Sequence, residues 1–328
     1  MPAVSASSAH ISSAEAAKPG LRDASGATSD SLSVLISRVS TEDGTRIFEL
    51  LNALRSQGLS HEVIIADRLN DGVSELIRTL YPEARLLPCS ARMSIPELRT
   101  LALDKARGAF AVVTEDHCVP PTDWLVGLLR AFGDAPAGTV AVGGSVENGV
   151  CESALDWATF LCEYSAFVGP LPRGRAASLP GVNVAYRRSA LADLDRAILA
   201  RDFWETTVHP LLAKRGAGLY QSDKITILHK KKFSFRLFAS QRYLYSRYYA
   251  GRRFGRNQAA TRWAMCGLSV ALPPVLLFRM TRNLLAKRRL HFEFIRALPL
   301  LIVFILISTC GEIAGYIFGS GDALSRIE

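Results

Sequence analysis

The 328-residue chain has no Cys-x-x-Cys or other short paired cysteine spacing, no cleavable secretory signal at its start and no visible internal repeat. Its six cysteines, at positions 89, 118, 151, 162, 266 and 310, therefore read as reduced thiols of a cytoplasmic domain. Acidic residues are nearly missing from one region. Between Lys230 and Arg296, 4 Lys and 12 Arg face the single acid Glu293, a local charge of +15. The whole chain sums to +9, so everything outside that region carries −6. A nucleic-acid surface spread over a globular domain would leave a different pattern, and no nucleic-acid partner is expected. The 49% apolar content excludes disorder for most of the chain. The exception is residues 1–30, rich in Ala and Ser without apolar periodicity, which read as a disordered lead-in.

From Ser31 onward, short apolar runs alternate with helix-like segments, the signature of an α/β domain with a mostly parallel central sheet. Strands are expected at Leu32–Ile36, Glu62–Asp67, Arg85–Leu87 and Ala109–Thr114. The last is a nearly continuous apolar run, as the buried centre of a parallel sheet requires. Helices are expected from Thr45 to Gln57, from Val73 to Leu80, and from Pro96 to about Ala106, where a first-turn proline costs little. Further on come a strand at Val140–Gly143, a helix at Asp156–Phe167 and a Pro-, Gly- and Arg-rich loop at Pro170–Pro180, which is expected to be mobile. A strand at Val182–Tyr186, a helix at Thr206–Arg215 and strands near Leu219 and at Ile225–Leu228 complete the domain, 31–229.

The C-terminal third reads as a membrane module. Residues 230–262 interleave Arg with Phe and Tyr, the composition of an interfacial helix. In the remainder, 263–328, the stretch 264–278 is uncharged but broken by Pro273 and Pro274. As helix it reaches only about 22 Å, short of a hydrocarbon core of about 30 Å, so a re-entrant hairpin or short span is expected. Residues 297–319, interrupted only by Glu312, are long enough for a transmembrane helix. The basic linker between them predicts an integral protein of the cell membrane, with the catalytic domain and linker cytoplasmic and the C-terminus outside.

The stretch from Gly108 to Leu129 carries the densest chemistry. Its apolar strand delivers Glu115, Asp116 and His117 to a C-terminal strand end, where open α/β sheets bind ligands. Such a group can bind a divalent metal that neutralises a diphosphate; an exposed acidic loop capping the next helix is the plainer alternative.

With the turn Val119, Pro120, Pro121 and then Asp123, Trp124, Leu125, this stretch resembles the strand and metal loop of family 2 glycosyltransferases, which have a GT-A type, Rossmann-like fold. That resemblance covers roughly Leu32 to Arg256. It places Glu115 and His117 at the family's two Asp positions, with Asp116 a substitute if the loop shifts by one residue. His117 in place of the second Asp either shifts the metal preference toward Mn²⁺ or Zn²⁺ or removes the metal altogether, and the cofactor the resemblance implies is a divalent metal, Mn or Mg. By the same resemblance Asp67, after the strand EVIIAD, approaches the nucleoside, and Arg99 lies near the diphosphate. Asn183, in PGVNVAYRRSAL, meets the sugar. Glu205 is the general base, with Asp202 the candidate alternative, and His229 is a metal or diphosphate contact. The Gln-x-x-Arg-Trp element of polymerising members is absent: Leu244 and Tyr245 hold the Arg and Trp places after Gln241, which argues against a processive synthase.

The resemblance thus implies a membrane-associated inverting glycosyltransferase that moves a sugar from a nucleotide-sugar donor to a hydroxyl acceptor, a lipid or lipid-linked glycan. The rival reading is a catalytically silent relative, a membrane scaffold or nucleotide-sugar-binding subunit. An ion channel is disfavoured, since only one clear span is expected and Glu312 has no evident partner within it.

Overall fold

The computed structural model describes residues 31–41, 45–255 and 258–328; the lead-in 1–30 lies outside the described residues. Nine strands form one sheet: β1 (Leu32–Arg38), β2 (His61–Asp67), β3 (Ala84–Pro88), β4 (Phe110–Glu115), β5 (Cys118–Val119), β6 (Thr139–Asn148), β7 (Gly174–Arg175), β8 (Val184–Arg187) and β9 (Gly218–His229). Their order is β3-β2-β1-β4-β8-β6-β9-β5, with β7 paired to β9. β3, β2, β1 and β4 are mutually parallel; β8 runs against both β4 and β6, and β9 follows β6. Strands running against the majority are thus only β8, β5 and β7. The expected mostly parallel α/β sheet is what the chain forms.

Helices begin where the sequence supplies caps. Ser94 and Glu97 close a reciprocal capping box ahead of Ile95–Lys105, with Pro96 in its first turn, and Asp71 with Ser74 does the same for Gly72–Leu80. Two details depart from the sequence expectation. The two strands near Leu219 and Ile225 are one strand, β9, whose register against β6 shifts between Gly143 and Ser145. The loop at 170–180 is tied down, because β7 pairs with β9 and Arg173 donates to the Tyr220 hydroxyl at 2.6 Å.

The register sets up the cleft. β1 lies between β2 and β4 with Arg38 opposite Asp67 and Ser37 opposite Glu115, so three strand ends finish together. Antiparallel pairing of β5 with β9 sets Cys118 opposite His229, which brings the end of β9 beside the loop after β4.

The basic aromatic segment forms the helix Phe235–Arg253, and it is not a free interfacial helix. Its Phe238, Leu244 and Tyr248 are buried. The apolar stretch 264–278 is divided between helices Ala259–Ser269 and Leu272–Lys287, bent by 56° at a break followed by Pro273 and Pro274. The helix His291–Phe318 is long and apolar enough to cross a membrane, the sole such continuous helix among the described residues.

This last helix packs closely on Phe235–Arg253 through Gly311 and Gly315, where a β-carbon would stand 2.3 Å from the Tyr243 carbonyl and 2.5 Å from the Arg247 carbonyl. The small-xxx-small spacing lets the two backbones touch. The chain then turns back. Arg68 donates to the Ile327 carbonyl (2.8 Å), and the Glu328 amide donates to Gln241 (2.9 Å). The expectation of a C-terminus on the far side is therefore corrected: the residues after the apolar helix are bonded to the sheet domain. Charge counting sees the linker but not these tertiary bonds.

Gly311→Val and Gly315→Val should each lower stability by about 1–3 kcal/mol, because neither backbone can yield without separating the helices. Denaturant unfolding in detergent checks this, and unchanged midpoints would refute the packing.

Candidate active site

β4 ends on two consecutive carboxylates, and each is satisfied differently. Glu115 accepts from Arg99 Nη2 at 3.0 Å and stands 3.2 Å from His117 Nε2. Asp116 accepts from the amides of Val39 and Ser40 at 3.1 and 3.2 Å, from the Ser40 hydroxyl at 2.8 Å and from His117 Nδ1 at 2.8 Å. Asp116 thus ties the end of β1 to the loop after β4 and fixes the His117 ring with Nδ1 as donor. The Nε2 atom is left facing His229 Nε2, 3.0 Å away. His229 is held by the rings of Tyr164 and Phe160, whose centroids lie 4.8 and 6.5 Å from its own.

Ligand atoms of Glu115, His117 and His229 all lie within 4.8 Å of one another. Three lone pairs converging on one point repel unless a cation sits among them. In the protein alone a proton serves: burial by itself would lower the His117 pKa, but its bonds to Asp116 and Glu115 raise it above the ordinary value. Burial and the adjacent His117 push His229 well below its ordinary value, so its imidazole is neutral, as a metal ligand must be. Glu115, despite burial, is held down to about 2 by the bond to and charge of His117, with Arg99 and His229 adding to the effect. A neutral imidazole, a second imidazole oriented by a carboxylate and an ionised carboxylate form a donor set that suits a divalent ion such as Mn²⁺ or Zn²⁺.

Across the cleft stands Glu205, the first residue of the helix Glu205–Lys214. Burial raises its pKa; Arg99 opposes the rise and Glu115 adds to it. Gly181 makes room for it, since a β-carbon there would fall 2.5 Å from Glu205 Oε2. Arg99 is 3% exposed, bonds the Phe203 carbonyl at 3.1 Å as well as Glu115, and lies over the Trp204 ring. One guanidinium therefore couples the carboxylate of the metal cluster to the segment that presents Glu205. The cavity between them, about 240 Å³, is lined by Arg99, Glu115, Tyr164, Gly181, Glu205, Arg242, Tyr245 and Tyr249. The neighbouring pocket holds Asp116, both histidines, Lys231 and Gln241, and shares Glu115, Glu163, Tyr164 and Tyr245 with the first.

The structure brings Glu115, His117, His229, Arg99 and Glu205 around two adjoining pockets that share Glu115, while three other sequence candidates are engaged elsewhere. Asp67, fully buried, accepts from Arg38 (3.0 Å), the Ser74 hydroxyl (2.5 Å) and the Leu69 amide (2.9 Å). Arg38 continues to Asp71. Asp67 is therefore a buried ion-pair partner with no free oxygen for a nucleoside. Asn183, also fully buried, accepts from Trp124 Nε1 and donates to the Ser145 carbonyl, both at 2.8 Å, so it pins a helix to β6 and does not reach a sugar. Asp202 pairs with Arg252 and the Tyr248 hydroxyl, each at 2.6 Å, which leaves it a clamp on the basic helix rather than a second base. Asp116 positions His117 and has four partners already, so it is not an alternative ligand. Sequence reasoning missed Lys231, 8% exposed in the same cleft and in no ion pair among the described residues, two places after His229. It also missed the Tyr245, Tyr249 and Arg242 wall supplied by the basic helix.

Asp116→Asn should weaken Mn²⁺ binding by about 10- to 100-fold while keeping the fold, since outer-shell partners of metal histidines have effects of that size. Calorimetric titration with the ion measures it. Arg38→Met should destabilise by about 3–5 kcal/mol because Asp67 is left charged and buried. A denaturation midpoint equal to that of the parent protein would contradict the role assigned to Asp67.

No family model and no curated protein matches this sequence. Solved structures do match. The mannosyltransferase PcManGT from Pyrobaculum calidifontis, in complex with GDP-Man and Mn²⁺, superposes with a TM-score of 0.52 at 15% identity, over 86% of this chain and 86% of that one. TarS residues 1–349 from S. aureus, in complex with UDP-GlcNAc, gives 0.47 at 15% identity over 62% of this chain. GalNAc-T7 with UDP, GalNAc and Mn²⁺ gives 0.48 at 12% identity, also over 62%. The chain spans 59% of that TarS fragment and 44% of GalNAc-T7. The likeness to the mannosyltransferase shows that this chain has a glycosyltransferase fold of the GT-A-like kind.

Proposed function

We propose that the protein is a membrane-associated inverting glycosyltransferase of the family 2 kind, taking its sugar from a nucleotide-sugar donor. The observation that carries this reading is the placement of the Glu115–His117–His229 cluster and of Glu205 in two adjoining pockets that share Glu115, with Arg99 bonded both to Glu115 and to the segment before Glu205. A fold shared with an enzyme solved with GDP-Man and Mn²⁺ supports it.

In this reading Glu115, His117 and His229 hold a divalent ion, which when bound neutralises the diphosphate of the leaving nucleotide. Lys231 and Arg99 add fixed positive charge along the same wall. Glu205 accepts the proton of the acceptor hydroxyl as its oxygen attacks the anomeric carbon from the face opposite the nucleotide, and the sugar's configuration inverts. Burial suits Glu205 to that task, since a carboxylate with a raised pKa is the stronger base. The aromatic wall of Tyr164, Trp204, Tyr245 and Tyr249 excludes water that would otherwise compete with the acceptor.

The acceptor side supports a lipid or lipid-linked glycan. A groove lined by Thr206, Arg242, Tyr245 and Tyr249, all shared with the Glu205 cavity, continues to Leu276 and Glu312 on the apolar helices. An amphiphile lying in that groove would present its polar end to Glu205. The division into a catalytic domain at 31–229, a basic helix at 230–262 and a membrane module at 263–328 belongs to the same proposal, as does a cytoplasmic catalytic face.

Thermal unfolding with UDP, GDP and their sugars tests donor binding, and the matching nucleotide should stabilise the protein more with Mn²⁺ than without it. Glu205→Gln should cut radiolabel transfer into organic-extractable lipid at least 100-fold with nucleotide binding unchanged. Because Glu205 must be ionised and its pKa is raised, transfer should fall as pH drops through a value above 4.5. Nucleotide binding without transfer in either protein would favour the silent reading.

A further inference from the structure

We propose that the helix His291–Phe318 lies along one leaflet of a bilayer without crossing it, so that the catalytic cleft and the chain's last residues stay on the same side of the membrane. This rests on the membrane association proposed above and fixes its geometry. It is independent of which sugar or acceptor is used.

The helix is apolar on every side, yet its two faces have different neighbours. Ala297, Leu301, Phe304, Ile305 and Tyr316 point into the protein, while Phe292, Ile295, Ile302, Val303, Leu306 and Ile317 are exposed. Together with the exposed Pro299 and Cys310, these positions recur at three- and four-residue steps from Phe292 to Cys310, which makes one continuous stripe along that length. At about 1.5 Å per residue the helix is about 42 Å long, against a hydrocarbon core of about 30 Å.

Both ends are fastened to the same globular body. At the start, Lys287 donates to the carbonyls of Ala166 and Val168 at 2.8 and 2.6 Å, and Arg289 pairs with Glu147 at 2.9 Å. Near the end, Glu312 pairs with Arg253 at 3.2 Å, and beyond it the Ile327 carbonyl accepts from Arg68. A helix crossing the bilayer would have to carry one of these charged sets, with the sheet domain behind it, through the hydrocarbon. Lying flat costs nothing of the kind, because the inner face keeps its protein contacts and the outer face meets acyl chains.

The surface around the stripe suits anionic headgroups. Thirteen of the seventeen large exposed hydrophobic side chains among the described residues fall between Trp263 and Phe318. Arg279, Arg282, Arg288 and Arg296 are exposed in the same region, and no described acid pairs with them. Apolar side chains ringed by unpaired arginines match a leaflet of anionic lipid.

Topology is tested with the full chain in sealed right-side-out and inverted membrane vesicles. Single variants Ser56→Cys, in the sheet domain, and Ser325→Cys, after the apolar helix, are exposed to a membrane-impermeant maleimide, and the labelled peptides are identified by mass spectrometry. Both should label from the same face; labelling from opposite faces would overturn the proposal. A second arm floats the purified protein with phosphatidylglycerol vesicles. The triple variant Phe278→Glu, Phe292→Glu, Ile295→Glu should lose at least tenfold in vesicle-bound protein while its nucleotide-induced thermal shift is retained. Retained flotation, or parent protein that never floats and instead self-associates through this face, would also overturn it. Because neither arm measures sugar transfer, failure here and failure of the glycosyltransferase reading are distinguishable.

Discussion

Placing two consecutive carboxylates at the end of the central strand, Glu115 half-buried and Asp116 buried, is the constraint around which this cleft is organised. Glu115 and Asp116 alternate in direction, so they need partners from opposite sides, and an ionised group left unpaired at that depth would cost several kcal/mol. Asp116 takes its partners from the chain just after β1 and from the ring of His117. Glu115 takes Arg99, and through it the segment that begins the helix of Glu205. The same bonds that satisfy these charges turn the His117 ring toward His229 and tie the segment that presents Glu205 to the cluster. Stability and chemistry are served by one network, and removing any member disturbs both.

All the strands but the two-residue β5 and β7, and most of the helices, were legible because their apolar periods are local. Pro96 in the first turn of its helix and the nearly continuous apolar run at Ala109–Thr114 both act within a few residues. The cluster of Glu115, His117 and His229 was legible too, but only through the ordered set of motifs, since spacing alone does not predict that β5 pairs with the end of β9. Asp67, Asn183 and Asp202 went the other way. Each stands at a place where the resemblance implies a functional polar group, and each is consumed by a partner distant in sequence: Arg38, Trp124 and Arg252. An Arg at the end of β1, in register with Asp67, was the available sign that this acid would be paired. For Lys231 and Tyr245 the residues were read as part of a basic membrane segment, and that reading hid their position on the cleft wall.

The strongly basic C-terminal third proves to be two things at once. The helix Phe235–Arg253 sets Tyr245 and Tyr248 against Trp204 and Asp202 of the sheet domain, Phe235 and Phe238 against Phe304 of the apolar helix, and its arginines against Asp202, Glu163 and Glu312. Only the residues beyond it present an apolar face with unpaired cations. The charge asymmetry therefore reports partly on internal ion pairs and partly on a surface, and only the second part bears on membrane contact. A groove that shares Thr206, Arg242, Tyr245 and Tyr249 with the Glu205 cavity and reaches Leu276 joins the two.

The central claim is that Glu115, His117 and His229 hold a divalent ion at the end of β4, within reach of a nucleoside diphosphate. Diffraction from crystals grown with Mn²⁺ and the stabilising nucleotide, collected on both sides of the manganese absorption edge, tests it most directly. The account predicts one anomalous peak bonded to the Nε2 atoms of both histidines and to a Glu115 oxygen, with diphosphate oxygens completing the shell. A bound diphosphate with the manganese peak elsewhere, or with His117 and His229 still in direct contact, would contradict it.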